Sequence, residues 1–197
     1  QLNYPEGDQR LVDLARKLGA LNTPTTDDPR EPYICEIIAE GRRRNITPKG
    51  IQIALATAIV ESNLKMYANS SVPASLAMPH DAVGSDYDSV GLFQQRCPMW
   101  GPVEVLMDPA QSAGLFYDHL VRLDYNSDDE SPGSYAQAVQ RSAFPGRYDE
   151  HWDEAVSIYN QYATAEPGPG DDFMSALTPA EQRELYDTIC GKRPSRS

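Results

Sequence analysis

The chain lacks any apolar run of the roughly 18 residues that would span a bilayer. Its longest such stretch, 51–60, falls well short, so no membrane insertion is expected. The first residues, QLNYPEGDQR, are polar and carry no hydrophobic leader core. Accumulation in the cytoplasm of the producing cell is therefore the expectation. The start at Gln1 rather than methionine reads as a piece of a longer chain. Basic residues are scarce: 17 Lys and Arg stand against 29 Asp and Glu, for a net charge of −12. That balance argues against nucleic acid, whose binders show clustered positive charge. The one basic cluster, Arg42, Arg43 and Arg44, reads as a helix C-terminus complementing the helix dipole. Cysteine is limited to Cys35, Cys97 and Cys190, with no CxxC pair. An odd, scattered set suits a reducing compartment, and no disulfide is predicted. No cofactor is expected, because neither an EF-hand nor an HExxH pattern is present.

Hydrophobic residues make up 40% of the 197, enough for one core of ordinary domain size. No internal repeat occurs, and a monomer is expected. Residues 1–31 read as a helix (8–20, with Leu11, Leu14, Ala15 and Leu18 at helical spacing) and a proline-rich linker. Residues 32–163 read as the main domain. Within it, helices are expected at 32–44, 47–63, 108–124, from Ser131-Pro132, and at 148–163, with Asn45 as a left-handed cap. Ala113, Leu115, Phe116, Leu120 and Leu123 are core candidates of one helix; Trp152, Ala155, Val156 and Tyr159 are those of the last. Residues 64–90 look irregular, and 89–95 suit a strand or a turn. The domain is thus mainly α, with at most a small β-hairpin around 64–95. AEPGPGDD opens a linker at 164–177, and 178–197 form a helical tail, or the start of a further module, begun by the capping box Thr178-Pro179-Ala180-Glu181.

The helix at 47–63 organises the domain. Thr47 and Pro48 supply its N-cap and first turn. Ile51, Ile53, Ala54, Leu55, Ala56, Ala58, Ile59 and Val60 leave almost no polar face, so burial nearly all round is expected. The run ends in Glu61. A carboxylate at the end of a buried helix is poorly solvated, and the negative end of the dipole also favours its neutral form. That is how a general acid keeps its proton near neutral pH. A glutamate that merely marks where the helix surfaces would look the same.

Glu61-Ser62, an irregular stretch, and then Gly91-Leu92-Phe93-Gln94 resemble the lytic transglycosylase and goose-type lysozyme group of the lysozyme-like superfamily. In closer detail the chain is similar to the catalytic modules of mycobacteriophage endolysins. It has GLFQQR, then Met99-Trp100-Gly101, a proline-started helix, and the closing segment Val139-Gln140-Arg141-Ser142-Ala143-Phe144-Pro145-Gly146-Arg147-Tyr148. The resemblance covers about residues 45–163. It implies a lysozyme-like α-helical domain, with peptidoglycan glycan strands as partner and cleavage of the β-1,4 bond between N-acetylmuramic acid and N-acetylglucosamine. It also implies host lysis, with another agent, a holin in phage systems, giving access to the cell wall. The acidic surface offers no attraction to an anionic polymer, which counts against this reading.

Glu61 is then the expected acid. An inverting hydrolase needs a second carboxylate to hold water, whereas a transglycosylase uses the sugar's own C6 hydroxyl. Asp81, Asp86 and Asp88 are the second-carboxylate candidates, with Asp88 preferred for its place just before SVGLFQQ. Gln94 matches the family glutamine and would bond an N-acetyl group or Glu61. Gln95 lies beside it, and only one of the two should face a cleft if the segment is extended. Ser62 would bond the sugar or cap its helix. Tyr148 would donate to Glu61 or to an N-acetyl carbonyl, or pack in the core. The family's Y-N-A-G motif is missing, which leaves the far wall of the cleft open. Tyr67, Phe93 and Trp100 are aromatic candidates for sugar stacking, Phe93 fitting the core better. Three other readings compete. Cys97 with His119 or His151 would suit a cysteine peptidase of wall peptides. His80, Asp81, Asp86 and Asp88 would suit a cation site. A non-catalytic wall-binding module would need neither.

Overall fold

A computed structural model of the chain describes residues 28–142 and 146–163. The helix expected at 8–20, the segments 164–177 and 178–197, Cys190, and Ala143, Phe144 and Pro145 of the closing motif lie outside the described residues. The elements run α1 (Glu31–Arg43), α2 (Pro48–Ser62), β1 (Tyr67–Asn69), α3 (Pro73–Leu76), β2 (Ala82–Gly84), β3 (Ser89–Val90), β4 (Gln95–Arg96), α4 (Val103–Leu106), α5 (Pro109–Leu120), α6 (Pro132–Gln140), α7 (Arg147–Glu150) and α8 (Trp152–Ala163). The described protein is mainly helical. None of its helices is long and apolar enough to cross a membrane.

Helix α2 is the axis. Thr47 Oγ1 accepts from Gly50 N at 3.4 Å, and Pro48 sets the first turn. Ile51, Ile53, Ala54, Leu55, Ala56, Ala58 and Ile59 are all buried. Helices α1, α5, α6, α7 and α8 surround them. The one buried polar side chain in that stretch, Thr57, returns its hydroxyl to Ile53 O at 2.8 Å. Asn63 ends α2 in the left-handed conformation, φ 53, and Leu64 repeats it at φ 56. The chain therefore leaves sharply just beyond Glu61.

The other caps follow the same local chemistry. Asp108 and Ser131 accept from Gln111 N and Ser134 N at the starts of α5 and α6. Asn45 closes α1 at φ 57. Arg43 and Arg44 bond Glu40, and Arg44 also reaches Asp118 on α5. The basic cluster thus braces two helices as well as facing a helix end. Burial alone would raise the Glu40 carboxyl, but Arg43 and Arg44 overcome it and hold it below its usual range.

The stretch 64–96 departs from a single hairpin. Strands β1 and β2 pair in parallel, Tyr67 opposite Ala82 through Asn69 opposite Gly84, with α3 between them. Strands β3 and β4 make a separate antiparallel pair. The 148–163 helix is also broken, at His151, into α7 and α8. On α8 the buried positions are Ala155, Ile158 and Tyr162, while Trp152, Val156 and Tyr159 are half-buried.

Buried Asn69 organises the long stretch. Its Nδ2 donates to Asp86 O at 3.1 Å and to Ser89 O at 2.9 Å, and its Oδ1 accepts from Ser71 N at 2.8 Å. Asn69→Ala strands these buried partners and is expected to lower unfolding free energy by about 2–3 kcal/mol in urea titration. A loss under about 0.5 kcal/mol would mean the loop is held by other contacts.

Candidate functional site

A cleft of about 880 Å³ opens over the end of α2. Val60 and Glu61 form its floor. One wall comes from the Asp86–Trp100 stretch, the other from the end of α6, Ser142 and Arg147, with His119, Arg122 and Leu123 closing the side.

Glu61 is half-buried there. Tyr148 Oη on α7 donates to Glu61 Oε1 at 2.5 Å. Burial pushes the Glu61 carboxyl up, and the Tyr148 hydrogen bond and the nearby Arg147 charge pull part of the way back. Tyr148 is fully buried. Its phenol is pushed well up by burial and by the Glu61 charge, so it stays a donor, and the Ser142 side chain bonds it as well. The chemical capacity of this pair is specific: a carboxyl that holds its proton more readily than usual, aimed into open space, with a neutral donor fixing one of its oxygens.

Gln94 lines the cleft at φ 47, with its Nε2 on Gly91 O at 2.9 Å. Gln95 does not: it points into the core, 1% exposed, with Nε2 on Ser112 O at 3.2 Å. Ser62 is also withdrawn. Its hydroxyl bonds Ala58 O at 3.1 Å and Leu92 O at 2.7 Å, which makes it a tether between α2 and the GLFQ turn. Tyr67 sits in β1 and is not among the cleft-lining residues; pairing with β2 holds it beside Gly84. Phe93 is a core residue, stacked on Phe116 at 5.3 Å between ring centres. The aromatic lining is Trp100, packed on His119 at 4.7 Å, and Tyr87, which like the neighbouring Met99 is largely exposed, at 74% and 76%.

Among the aspartates, Asp86 lines the cleft and Asp88 does not. Arg96 Nε holds Asp88 Oδ1 at 2.5 Å, and that ion pair keeps the Asp88 carboxyl below its usual range. Of the two, Asp86 is the one placed at the cleft, against the expectation that favoured Asp88. Asp81 is used locally, accepting from Met66 N at 2.7 Å. With His80 Nδ1 against Met78 O, the aspartates and His80 disperse into separate contacts, and no group of three possible metal ligands gathers among the described residues. The cysteine pairings fare similarly. His119 packs on Trp100, His151 pairs with Glu154 at 3.1 Å, and neither is hydrogen-bonded to Cys97.

Tyr87, Arg122 and Asn69 carry no motif signal, and Gln140, though part of the closing motif, carries no sign of its contact. Gln140 spans to the opposite wall, its Nε2 on Phe93 O at 2.7 Å. Three cleft residues, Tyr87, Gln94 and Arg141, have positive φ without being glycine. Such strain is held only where surroundings over-determine it, and it concentrates at functional sites. The chain matches no model of a known protein family. It also matches no curated protein sequence at a significant level.

Proposed function

We propose that the protein cleaves peptidoglycan glycan strands at the β-1,4 bond between N-acetylmuramic acid and N-acetylglucosamine, as a lysozyme-like muralytic enzyme of the endolysin kind. The observation that carries this reading is Glu61: a half-buried carboxyl with a raised pKa, on the floor of a cleft and pinned by Tyr148. A glycosidic oxygen leaves poorly unless protonated, and a carboxyl held neutral beside it supplies that proton. Once ionised, Glu61 is stabilised by the Tyr148 donor and by Arg147. It can then take a proton from the muramyl C6 hydroxyl, closing a 1,6-anhydro ring without water. Alternatively, Asp86 holds a water on the opposite ring face. Trp100 and Tyr87 offer faces for sugar rings, and Gln94 supplies an amide for an N-acetyl group.

The test is digestion of purified peptidoglycan followed by mass spectrometry. Soluble muropeptides with new muramyl ends are expected. Ends lighter by one water mark internal attack by the C6 hydroxyl, and reducing ends mark hydrolysis. Free amines with intact glycan would refute the reading and return the cysteine peptidase. Binding to walls without any release would return the non-catalytic module.

A further inference from the structure

The chain's charge and the cleft's charge have opposite signs. Acidic residues outnumber basic ones 29 to 17 overall. The cleft is lined by Arg96, Arg122, Arg141 and Arg147 against only Glu61 and Asp86. Arg96 is spent on Asp88. The guanidinium groups of Arg122, Arg141 and Arg147 make no salt bridge among the described residues, whereas Arg30, Arg43 and Arg44 all do. The three come from separate places: Arg122 just past α5, Arg141 at the end of α6 at φ 55, Arg147 at the start of α7. Packing does not require them together, since all three are exposed.

We propose that Arg122, Arg141 and Arg147 select glycan bearing free carboxylates, that is, strands with their peptide stems, over neutral glycan. This rests on the glycan reading above. A guanidinium presents a planar fork matched to a carboxylate, and such charge-assisted pairs are the stronger hydrogen bonds. The acidic remainder of the surface adds a second filter. Charges are screened over about 8 Å at physiological salt, so discrete carboxylates inside the cleft feel mainly the arginines. Nucleic acid, with a charge roughly every 1.7 Å along its axis, would also meet the acidic surroundings.

The experiment uses the Glu61→Gln protein, so that ligands stay uncut, and carries Trp152→Phe as well, so that tryptophan fluorescence reports Trp100. It is titrated with soluble disaccharide-peptide fragments of peptidoglycan, with the same fragments amidated at their carboxyl groups, and with a single-stranded oligonucleotide. The free-acid fragments are expected to bind roughly tenfold tighter than the amidated ones, the worth of one good ionic pair. Adding Arg122→Gln, Arg141→Gln and Arg147→Gln together should bring that ratio close to one, with an unchanged melting temperature. Equal affinity for both fragment forms would overturn the arginine inference and leave the glycan reading standing. No binding of either form would overturn the glycan reading and this inference with it. Tighter binding of the oligonucleotide than of the free-acid fragments would overturn it in favour of nucleic acid.

Discussion

Glu61→Gln is expected to reduce release of muropeptides by about 10²–10⁴-fold, the usual worth of a general acid, while the protein stays folded. Glutamine keeps the shape and keeps an oxygen for the Tyr148 hydroxyl now bonded to Glu61. Stability should move in the opposite direction from activity. The Glu61 carboxyl titrates above its ordinary 4.5, so folding favours its protonated form. That contribution is fully present below the unfolded value and is lost as pH rises through the folded one. At neutral pH the half-buried charge is a cost that glutamine does not carry. Calorimetry at about pH 4 and about pH 8 should therefore give matched melting temperatures at the lower pH and a higher one for the variant at the upper. A folded variant that still cleaves would refute the assignment of Glu61 as the acid. A variant that melts lower at both pH values would show that the carboxylate is structural.

Gly91→Ala is expected to be the most damaging single methyl in the domain. Gly91 has φ +77, and a Cβ there would lie 2.1 Å from Leu106 O, at the end of α4. A backbone carbonyl cannot swing aside as a side-chain tip can. The left-handed conformation and the forced displacement together should cost about 3–5 kcal/mol. For a domain of this size that lowers the melting temperature by roughly 10 °C or more. Because Gly91 O also receives Gln94 Nε2, cleavage should fall even well below the new melting point. A shift of only a degree or two would mean that α4 yields, and that the turn is less fixed than its contacts imply.

Much of the helical frame is legible in the residues themselves. Thr47-Pro48, Asp108-Pro109 and Ser131-Pro132 are local signals, and each opens a helix as read. The parallel pairing of β1 with β2 is not legible, because nothing near Tyr67 announces Ala82. The pairing joins residues about fifteen apart, and the bonds of Asn69 to the carbonyls of Asp86 and Ser89, just beyond β2, likewise form only once the chain has turned back. On α8 the expected Trp152, Ala155 and Tyr159 do pack on the core side, while Ile158 and Tyr162 are buried there as well and Val156 is only half-buried. Motif and helix end single out Glu61, Gln94 and Tyr148, and the structure places Glu61 and Gln94 in one cleft with Tyr148 bonded to Glu61. Gln94 and Gln95 do part, but through the left-handed turn at Gln94, φ 47, and not through the alternation of an extended segment. The choice between Asp86 and Asp88 turned on an ion pair with Arg96, which spacing does not encode. The arginines were hidden by the average: a net charge of −12 says nothing about where the minority sign collects.

The GLFQ turn has one more consequence, for motion. Ser62 holds Leu92 O from below, Gln140 holds Phe93 O from the far wall, and Gly91 N is bonded to Tyr67 O at 2.8 Å. One of these bonds, Gln140 to Phe93 O, joins the two walls across the cleft floor, so the floor cannot widen without breaking it. Breathing is thereby confined to the rim, around Tyr87, Met99 and Arg141. Amide exchange should be slow across the base and fast along the lip, and a ligand that seats on the base meets groups already at rest. Little ordering entropy is then left to lose on binding.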